Sequence, residues 1–388
     1  MLVSNLPGRK MAMVTEKNGG VDYRFRLLYA LGMIFIVSGH CSGGGVSLFY
    51  DWFPPYAFHL GLFAFCSGYF YRDENGADLG AYALRKAKTL LLPMYLWNLF
   101  YALLLMILRR FGFDIGLPPS FATLVTMPLY EGSQFELNMG AWFVVPLFLC
   151  QVFTAVLRRF CAVSRSRGRE LAAFLFCLAL GALGVTLARH GFLRLWRLLL
   201  IRFLYFLPFY AFGVFYRRVL ERLDTLPHGP YFALIFLAQY LIILLCGRIP
   251  YYTPSRCDDC LEPGIVPFLV GYVGIAFWLR MAKILAPSLG KDKWLNAIAD
   301  HSYSIMVNQY LGFMVVKAGF AFLKRFTSRC QAFDMAAFKS NIAYFYTPGG
   351  RIFFLVYLIA GLVVPIAMQK AVDLLKRAFL SLRRTQRA

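Results

Sequence analysis

Apolar residues fall into long blocks separated by short basic, polar or glycine-containing links, and the blocks approach the roughly 20 residues that a helix needs to cross a bilayer. Ten blocks are predicted as spanning helices, over about 26–43, 54–71, 87–108, 141–159, 170–188, 197–216, 230–247, 263–282, 299–320 and 351–374. The expected fold class is all-α, a polytopic membrane helix bundle of about ten transmembrane helices. Residues 1–22 are polar and basic and read as an N-terminal arm, 23–377 as one membrane domain, and 378–388 as a basic tail. Arg24 and Arg26, the first apolar run and Ser42-Gly43-Gly44-Gly45 imitate a cleavable leader, but cleavage there would discard the first span.

The loops set the orientation. Arg72 with Arg85, Lys86 and Lys88, then Arg158 to Arg169, Arg217 to Arg222, Lys283 to Lys293 and the tail from Lys370 all fall on one side. By the positive-inside rule that side is cytoplasmic, and both termini lie there. Arg109, Arg110, Arg189 and Arg194 run against the bias. The opposite side receives the longer loops, 109–140 and 321–350, with room for binding or for a cover over the bundle.

Composition narrows the class. The 388 residues are 60% hydrophobic and only 15% charged, against about 25% charged in soluble domains. The formal charge of +22 sits in short clusters at the ends of apolar runs, such as Arg158–Arg159 and Lys376–Arg377. No basic face interleaved with exposed aromatics exists outside the spans, so nucleic acid is not an expected partner.

The opening hairpin carries the candidate chemistry. His40 closes the first span and His59 lies one to two turns inside the second. With a rise of about 1.5 Å per residue, the two imidazoles occupy similar depths near the outer face of adjoining helices. Ionisable groups at membrane depth are costly without a partner or a function, and imidazole is the usual general base near neutral pH. The competing reading is a histidine solvated at the interface or bonded to a backbone carbonyl. His190, His228 and His301, in loops or at span ends, read as solvated.

Arg202 falls within an apolar run near the outer side, where it binds an acceptor or pairs with an acid. Ser67-Gly68 reads as a close helix-packing position rather than a nucleophile. Cys257-Asp258-Asp259-Cys260 lacks the second pair that a zinc site needs. A disulfide among Cys257, Cys260 and Cys330 is the favoured reading, with free thiols as the alternative, and no metal is expected.

These residues carry a resemblance. Tyr29-Ala-Leu-Gly-Met-Ile-Phe-Ile-Val-Ser-Gly-His40 resembles the first span of the integral-membrane acyltransferase-3 family, which a histidine ends. Phe58-His59-Leu60-Gly61-Leu62-Phe63-Ala64-Phe65-Cys66-Ser67-Gly68-Tyr69-Phe70 is similar to the family's second span, and its opening Phe-His pair to the fucose 4-O-acetylase-like branch. Arg85, Lys86 and Lys88 precede Leu91-Leu92-Pro93-Met94-Tyr95-Leu96-Trp97, like the family's basic-then-PYLLW entry to the third span. Trp142-Phe143-Val144-Val145-Pro146-Leu147-Phe148 is similar to its WFLPALF-type segment, and Ser302 to Gln309 resembles its late SLxIYLxH segment. Two positions depart from the pattern: Tyr29 stands where a basic residue is usual, and Gln309 where histidine is frequent.

The resemblance implies transfer of an acyl group, commonly acetyl, from cytoplasmic acetyl-CoA or another acyl-CoA to a hydroxyl of a cell-surface or lipid-linked carbohydrate. It also implies a multi-pass protein of the bacterial cytoplasmic (inner) membrane. The acceptor partner is then a glycan or glycolipid, in a setting of membrane lipids. His40 is the expected base, and His59 the group that orients it or donates to the oxyanion. Direct transfer and an acetyl-histidine intermediate both remain open. Arg26, Arg85, Lys86 and Lys88 are the expected contacts to CoA phosphates, with ordinary membrane anchoring as the competing reading. Arg202 and Trp142 are the expected acceptor contacts. A transporter or flippase of a polar lipid-linked substrate and an inactive relative of the enzyme are the alternative functions.

Overall fold

The computed structural model describes residues 21–41, 52–73, 78–160, 166–250, 252–257, 262–350 and 352–385. Among them are fourteen α-helices and no strand. They are α1 Tyr23–His40, α2 Pro55–Tyr69, α3 Leu79–Lys86, α4 Leu92–Arg110, α5 Met127–Tyr130, α6 Val144–Phe160 and α7 Arg167–Arg189. Then follow α8 Trp196–Phe215, α9 His228–Cys246, α10 Val266–Leu289, α11 Lys293–Asp300, α12 Ser302–Phe326, α13 Met335–Ser340 and α14 Ile352–Thr385.

Each predicted block is a helix, and the differences in boundary have local causes. The first begins at Tyr23 because the Asp22 carboxylate caps it, accepting from the Arg24 N–H at 3.0 Å. The second begins at Pro55, whose missing N–H is no loss in a first turn. A π turn at Ala87–Leu91 joins α3 to α4 just ahead of Pro93, which offers no N–H to the Thr89 carbonyl. The predicted ninth span divides at His301 into the short α11 and the long α12.

Among the described residues, eight helical segments are long and apolar enough to cross a membrane, and the hairpin α1–α2 is not among them. At 15 residues, α2 covers about 22 Å, short of the roughly 30 Å hydrocarbon core. It has no need to match lipid, because the hairpin lies inside the bundle. α1 packs on α2, α10, α11, α12 and α14, and α2 packs on α8 and α10. Close approach of α2 to α8 depends on glycine. A Cβ on Gly68 would lie 2.0 Å from the Tyr210 carbonyl oxygen, and one on Gly213 2.0 Å from that of Phe65. The neighbouring Ser67 hydroxyl accepts from the Gln151 amide of α6 at 3.0 Å.

The two ends of the bundle differ in how they are held. At the end where α1 begins and α2 finishes, buried ion pairs join successive helices. Arg158 of α6 grips Glu170 of α7 through both terminal nitrogens, each at 2.8 Å, and Asp73 through Nε at 2.9 Å. Arg218 bridges the same two carboxylates at 3.1 and 2.9 Å. Nearby, Arg24 pairs with Asp22 and Glu221, and Asp224 pairs with Arg280 and Lys283 of α10. The opposite end, with His40 and the start of α2, has the ion pairs Arg248–Glu262 and Arg109–Asp114 and relies further on backbone carbonyls. Lys339 of α13 donates to the Phe111 carbonyl at 2.8 Å, and Lys317 of α12 to that of Ile342 at 3.0 Å.

The ionic end carries a pH dependence with a definite sign. Burial alone would raise the Asp73 carboxyl, but hydrogen bonds and charge from Arg158 and Arg218 outweigh it and hold the group below its usual 3.8. At Asp224 burial is likewise outweighed, by Lys283, Tyr216 and Arg280. A depressed folded-state pKa gives stability that is present above the unfolded value and lost as pH falls through the folded one. Thermal unfolding in detergent should therefore lose midpoint on acidification below the ordinary carboxyl value of 3.8. Asp224→Asn should be less stable at neutral pH and show a flatter acid limb. An acid limb as steep as that of the parent would refute the assignment.

Candidate active site

His40 is the last residue of α1 and is partly buried. Its Nδ1 lies 3.1 Å from Oε1 of Gln309 on α12. The Gln309 amide is itself oriented, because its Nε2 donates to the Met306 carbonyl at 3.3 Å. An amide oxygen only accepts, so Nδ1 of His40 carries the proton and Nε2 keeps its lone pair. That leaves the ring in the tautomer a general base requires. A neutral amide fixes the ring without placing a second charge in the bundle.

His59 is 5% exposed and sits one turn into α2. Its Nδ1 donates to the Pro55 carbonyl at 2.5 Å, so its Nε2 is also an acceptor. Neutral in this tautomer, it suits positioning or proton relay rather than donation to an oxyanion. Tyr56 stands edge-on to His59 at 5.2 Å, and its hydroxyl donates to the Gly39 carbonyl at 2.7 Å. That bond clamps the start of α2 to the end of α1, beside His40.

Two residues at this centre lie outside the set singled out from sequence. Tyr310 follows Gln309, and its ring lies 5.4 Å from that of His40. Its hydroxyl makes no hydrogen bond among the described residues, which leaves an O–H donor near the imidazole. Asn308 accepts from Tyr101 of α4 at 2.7 Å and donates to Ser304 at 3.0 Å, fixing the helix that carries Gln309. The signal available in the sequence was the run Asn308-Gln309-Tyr310 inside an otherwise apolar span.

The expected donor contacts gather at the ionic end, away from His40. Arg26 pairs with Asp300 of α11. Arg85 and Lys86 lie over the Tyr82 ring, each at 5.5 Å, and Lys88 is exposed. Tyr29, at the position where the family has a basic residue, stands edge-on to Phe63 at 5.4 Å.

The expected acceptor contacts meet each other at the His40 end. The Arg202 guanidinium lies 4.9 Å from the centre of the Trp142 ring. It forms no ion pair with an acid among the described residues. Instead it donates to the carbonyls of Tyr130 and Glu131, at 2.7 and 3.0 Å, and to that of Ser255 at 3.1 Å. Arg202 thus ties two loops at the His40 end to α8. His190 and His228 are exposed, and Nδ1 of the half-buried His301 donates to the Ala297 carbonyl at 2.7 Å. Cys330 is a free thiol and Cys257 is buried, while Cys260 lies outside the described residues.

The chain matches the model of an acyltransferase domain, Acyl_transf_3, over residues 22–370. It belongs to the acyltransferase-3 family. No curated protein and no solved structure shows significant similarity to it. The matched range takes in the α1–α2 hairpin and Gln309, so the polar centre lies within the acyltransferase domain of this membrane protein.

The pairing of His40 with Gln309 gives a direct expectation for this acyltransferase. Gln309→Ala frees the imidazole to rotate and to change tautomer, so kcat should fall while KM for the acyl donor changes little. Gln309→Glu, which keeps the acceptor oxygen, should retain more activity than Gln309→Ala. Steady-state kinetics check both, and equal losses in the two variants would show that the bond does not position the ring.

Proposed function

We propose that this protein is a membrane O-acyltransferase that moves an acyl group, most simply acetyl, from cytoplasmic acyl-CoA to a hydroxyl of a cell-surface or lipid-linked carbohydrate. The observation that carries this reading is the His40–Gln309 pair, which leaves Nε2 of His40 as a proton acceptor at the end of the bundle opposite the basic cluster. A sugar hydroxyl is a poor nucleophile at neutral pH. His40 takes its proton as the oxygen attacks the thioester carbonyl, the C–S bond breaks, and the imidazolium returns the proton to the departing CoA thiolate. The Tyr310 hydroxyl, on a ring 5.4 Å from that of His40, donates to the developing oxyanion. His59 holds or relays to His40.

The separation of the two ends supports a directional reaction. CoA phosphates meet Arg85, Lys86 and Lys88 at the cytoplasmic end, and the acceptor arrives at the outer end near His40. Arg26 is already neutralised by Asp300, so it contributes to a phosphate site only by leaving that pair. Arg202 and Trp142 shape the acceptor side by fixing its loops. The bacterial inner membrane is the setting this reading requires. The Phe58-His59 pair supports the fucose 4-O-acetylase-like branch.

The test is a mass-spectrometric comparison of surface glycans from cells with and without the protein. A glycan heavier by one acyl group only when the protein is present is the expected result, and the mass identifies the group. Identical glycan profiles would overturn the reading.

A further inference from the structure

Lys317 has no part in the chemistry above, yet it is the most deeply buried lysine described. Its side chain on α12 is 0% exposed and makes one hydrogen bond, to the Ile342 carbonyl. The Phe345 ring lies 5.5 Å from its ammonium nitrogen. An ammonium has three donors, and burying it without a counter-charge is costly. No carboxylate forms an ion pair with it among the described residues, although the charge of Glu136 reaches it.

Two features connect this cation to the catalytic centre. The first is a continuous aromatic wall. From His40 the rings run to Tyr310 at 5.4 Å, from Tyr310 to Phe313 at 5.5 Å, and from Phe313 to Phe345 at 5.5 Å, which lies against Lys317. The second is the segment 134–140. Gln134 and Asn138 both spend an amide N–H on Oδ1 of Asn98, at 2.5 and 3.4 Å. Their own oxygens, Oε1 of Gln134 and Oδ1 of Asn138, are buried without a partner. Glu136 lies between them in the chain, and a Cβ on Gly140 would be 2.0 Å from the Met306 carbonyl that also accepts from Gln309. Residues 114–117 tie this segment to the stretch 339–342 that receives Lys317, through Leu117 N–H to the Gln134 carbonyl and Asp114 N–H to the Lys339 carbonyl, each at 2.8 Å, so it leads from there to the residue that holds His40. Two orphaned acceptors ask for hydrogen-bond donors, and one unneutralised cation asks for an anion.

We propose that Lys317 recognises an oxyanion on the acceptor, a carboxylate or phosphate of an anionic glycan, while Gln134 and Asn138 accept from its hydroxyls. The Ile342 carbonyl holds the place of the anion in the ligand-free state, and the loop carrying Ile342 and Phe345 moves aside on binding. Glu136 competes with the ligand for the ammonium. The inference rests on the acceptor being a carbohydrate, and it narrows that acceptor to a negatively charged one.

The test uses the purified full-length protein in lipid nanodiscs, with equilibrium binding of radiolabelled glucuronate, glucose 1-phosphate and glucose. At least one of the two anions should bind tenfold or more tightly than glucose. A preference for glucuronate identifies a carboxylate-bearing acceptor, and one for glucose 1-phosphate a phosphorylated one. Lys317→Gln should bring the favoured anion to the level of glucose, and Lys317→Arg should keep the preference. Glu136→Gln should tighten anion binding severalfold, which a lysine serving only to pin a loop would not cause. Equal binding of the three sugars, or a preference surviving in Lys317→Gln, overturns the proposal. Binding needs no turnover, so unchanged surface glycans alongside a clear anion preference would dismiss the acyl-transfer reading and leave this site standing.

Discussion

His40→Ala is expected to lower acyl transfer by about 10²–10⁴-fold, the range that a positioned general base contributes, with the protein still present at normal abundance in the membrane. Two features set the size of the effect. The acceptor hydroxyl needs a base at the moment of attack, and Nε2 of His40 is the lone pair that the Gln309 contact leaves available. The structural cost is small by comparison, since the ring is partly exposed at a helix end and gives up one hydrogen bond to an amide, worth about 0.5–1.5 kcal/mol. His59→Ala should be milder in rate, because in the proposed mechanism His59 acts through its neighbour, and harsher in stability, because it is buried in α2. The rate of CoA release and quantitative immunoblotting of membranes separate the two effects. Near-parental turnover in His40→Ala would remove the histidine from the chemistry.

Glu170→Ala is expected to destabilise the bundle by about 3–5 kcal/mol, the usual cost of removing one partner of a buried ion pair. Glu170 is 2% exposed and accepts from both Arg158 and Arg218. Its loss leaves two guanidinium groups sharing the half-exposed Asp73. The joint where α6, α7 and the end of α8 meet then holds an uncompensated charge. Replacing Arg158 and Glu170 together by methionine should recover much of the loss, because the penalty comes from the unpaired charge rather than the missing attraction. Thermal unfolding of the detergent-solubilised protein measures all three forms. A midpoint for Glu170→Ala within error of the parent would show that the network contributes nothing to the fold.

The fold was legible because lipid-sized apolar blocks admit few structures. Every predicted block is a helix, and the glycine beside Ser67 is a packing contact, as a small residue at membrane depth suggests. The α1–α2 hairpin and its two histidines were legible from depth and connectivity, since about ten residues of link force the helices together. Pairing across the chain was not legible. Gln309 lies 269 positions from His40, and Asp300 lies 274 from Arg26, so neither spacing nor periodicity joins them. In sequence Gln309 is a departure from the family pattern, whereas in the structure it is the residue that sets the tautomer of His40. Arg202 shows the converse. An arginine in an apolar run asks for an acid or a ligand, but carbonyls freed by irregular loops at the His40 end satisfy it equally well. Lys317 was hidden because it is the one cation inside a 25-residue apolar helix whose other two, Lys324 and Arg325, sit in the last turn, and alone it barely alters the hydropathy.

The most direct test of the central claim, acyl transfer across the membrane with His40 as base, is a sided assay in sealed proteoliposomes. The protein is reconstituted with acceptor glycan trapped inside, radiolabelled acetyl-CoA is added outside, and the label on the recovered glycan is counted. The fraction of protein with its basic end facing the added donor should label the trapped glycan, and His40→Ala should give only background. Label reaching the glycan equally in parent and His40→Ala vesicles would contradict the account.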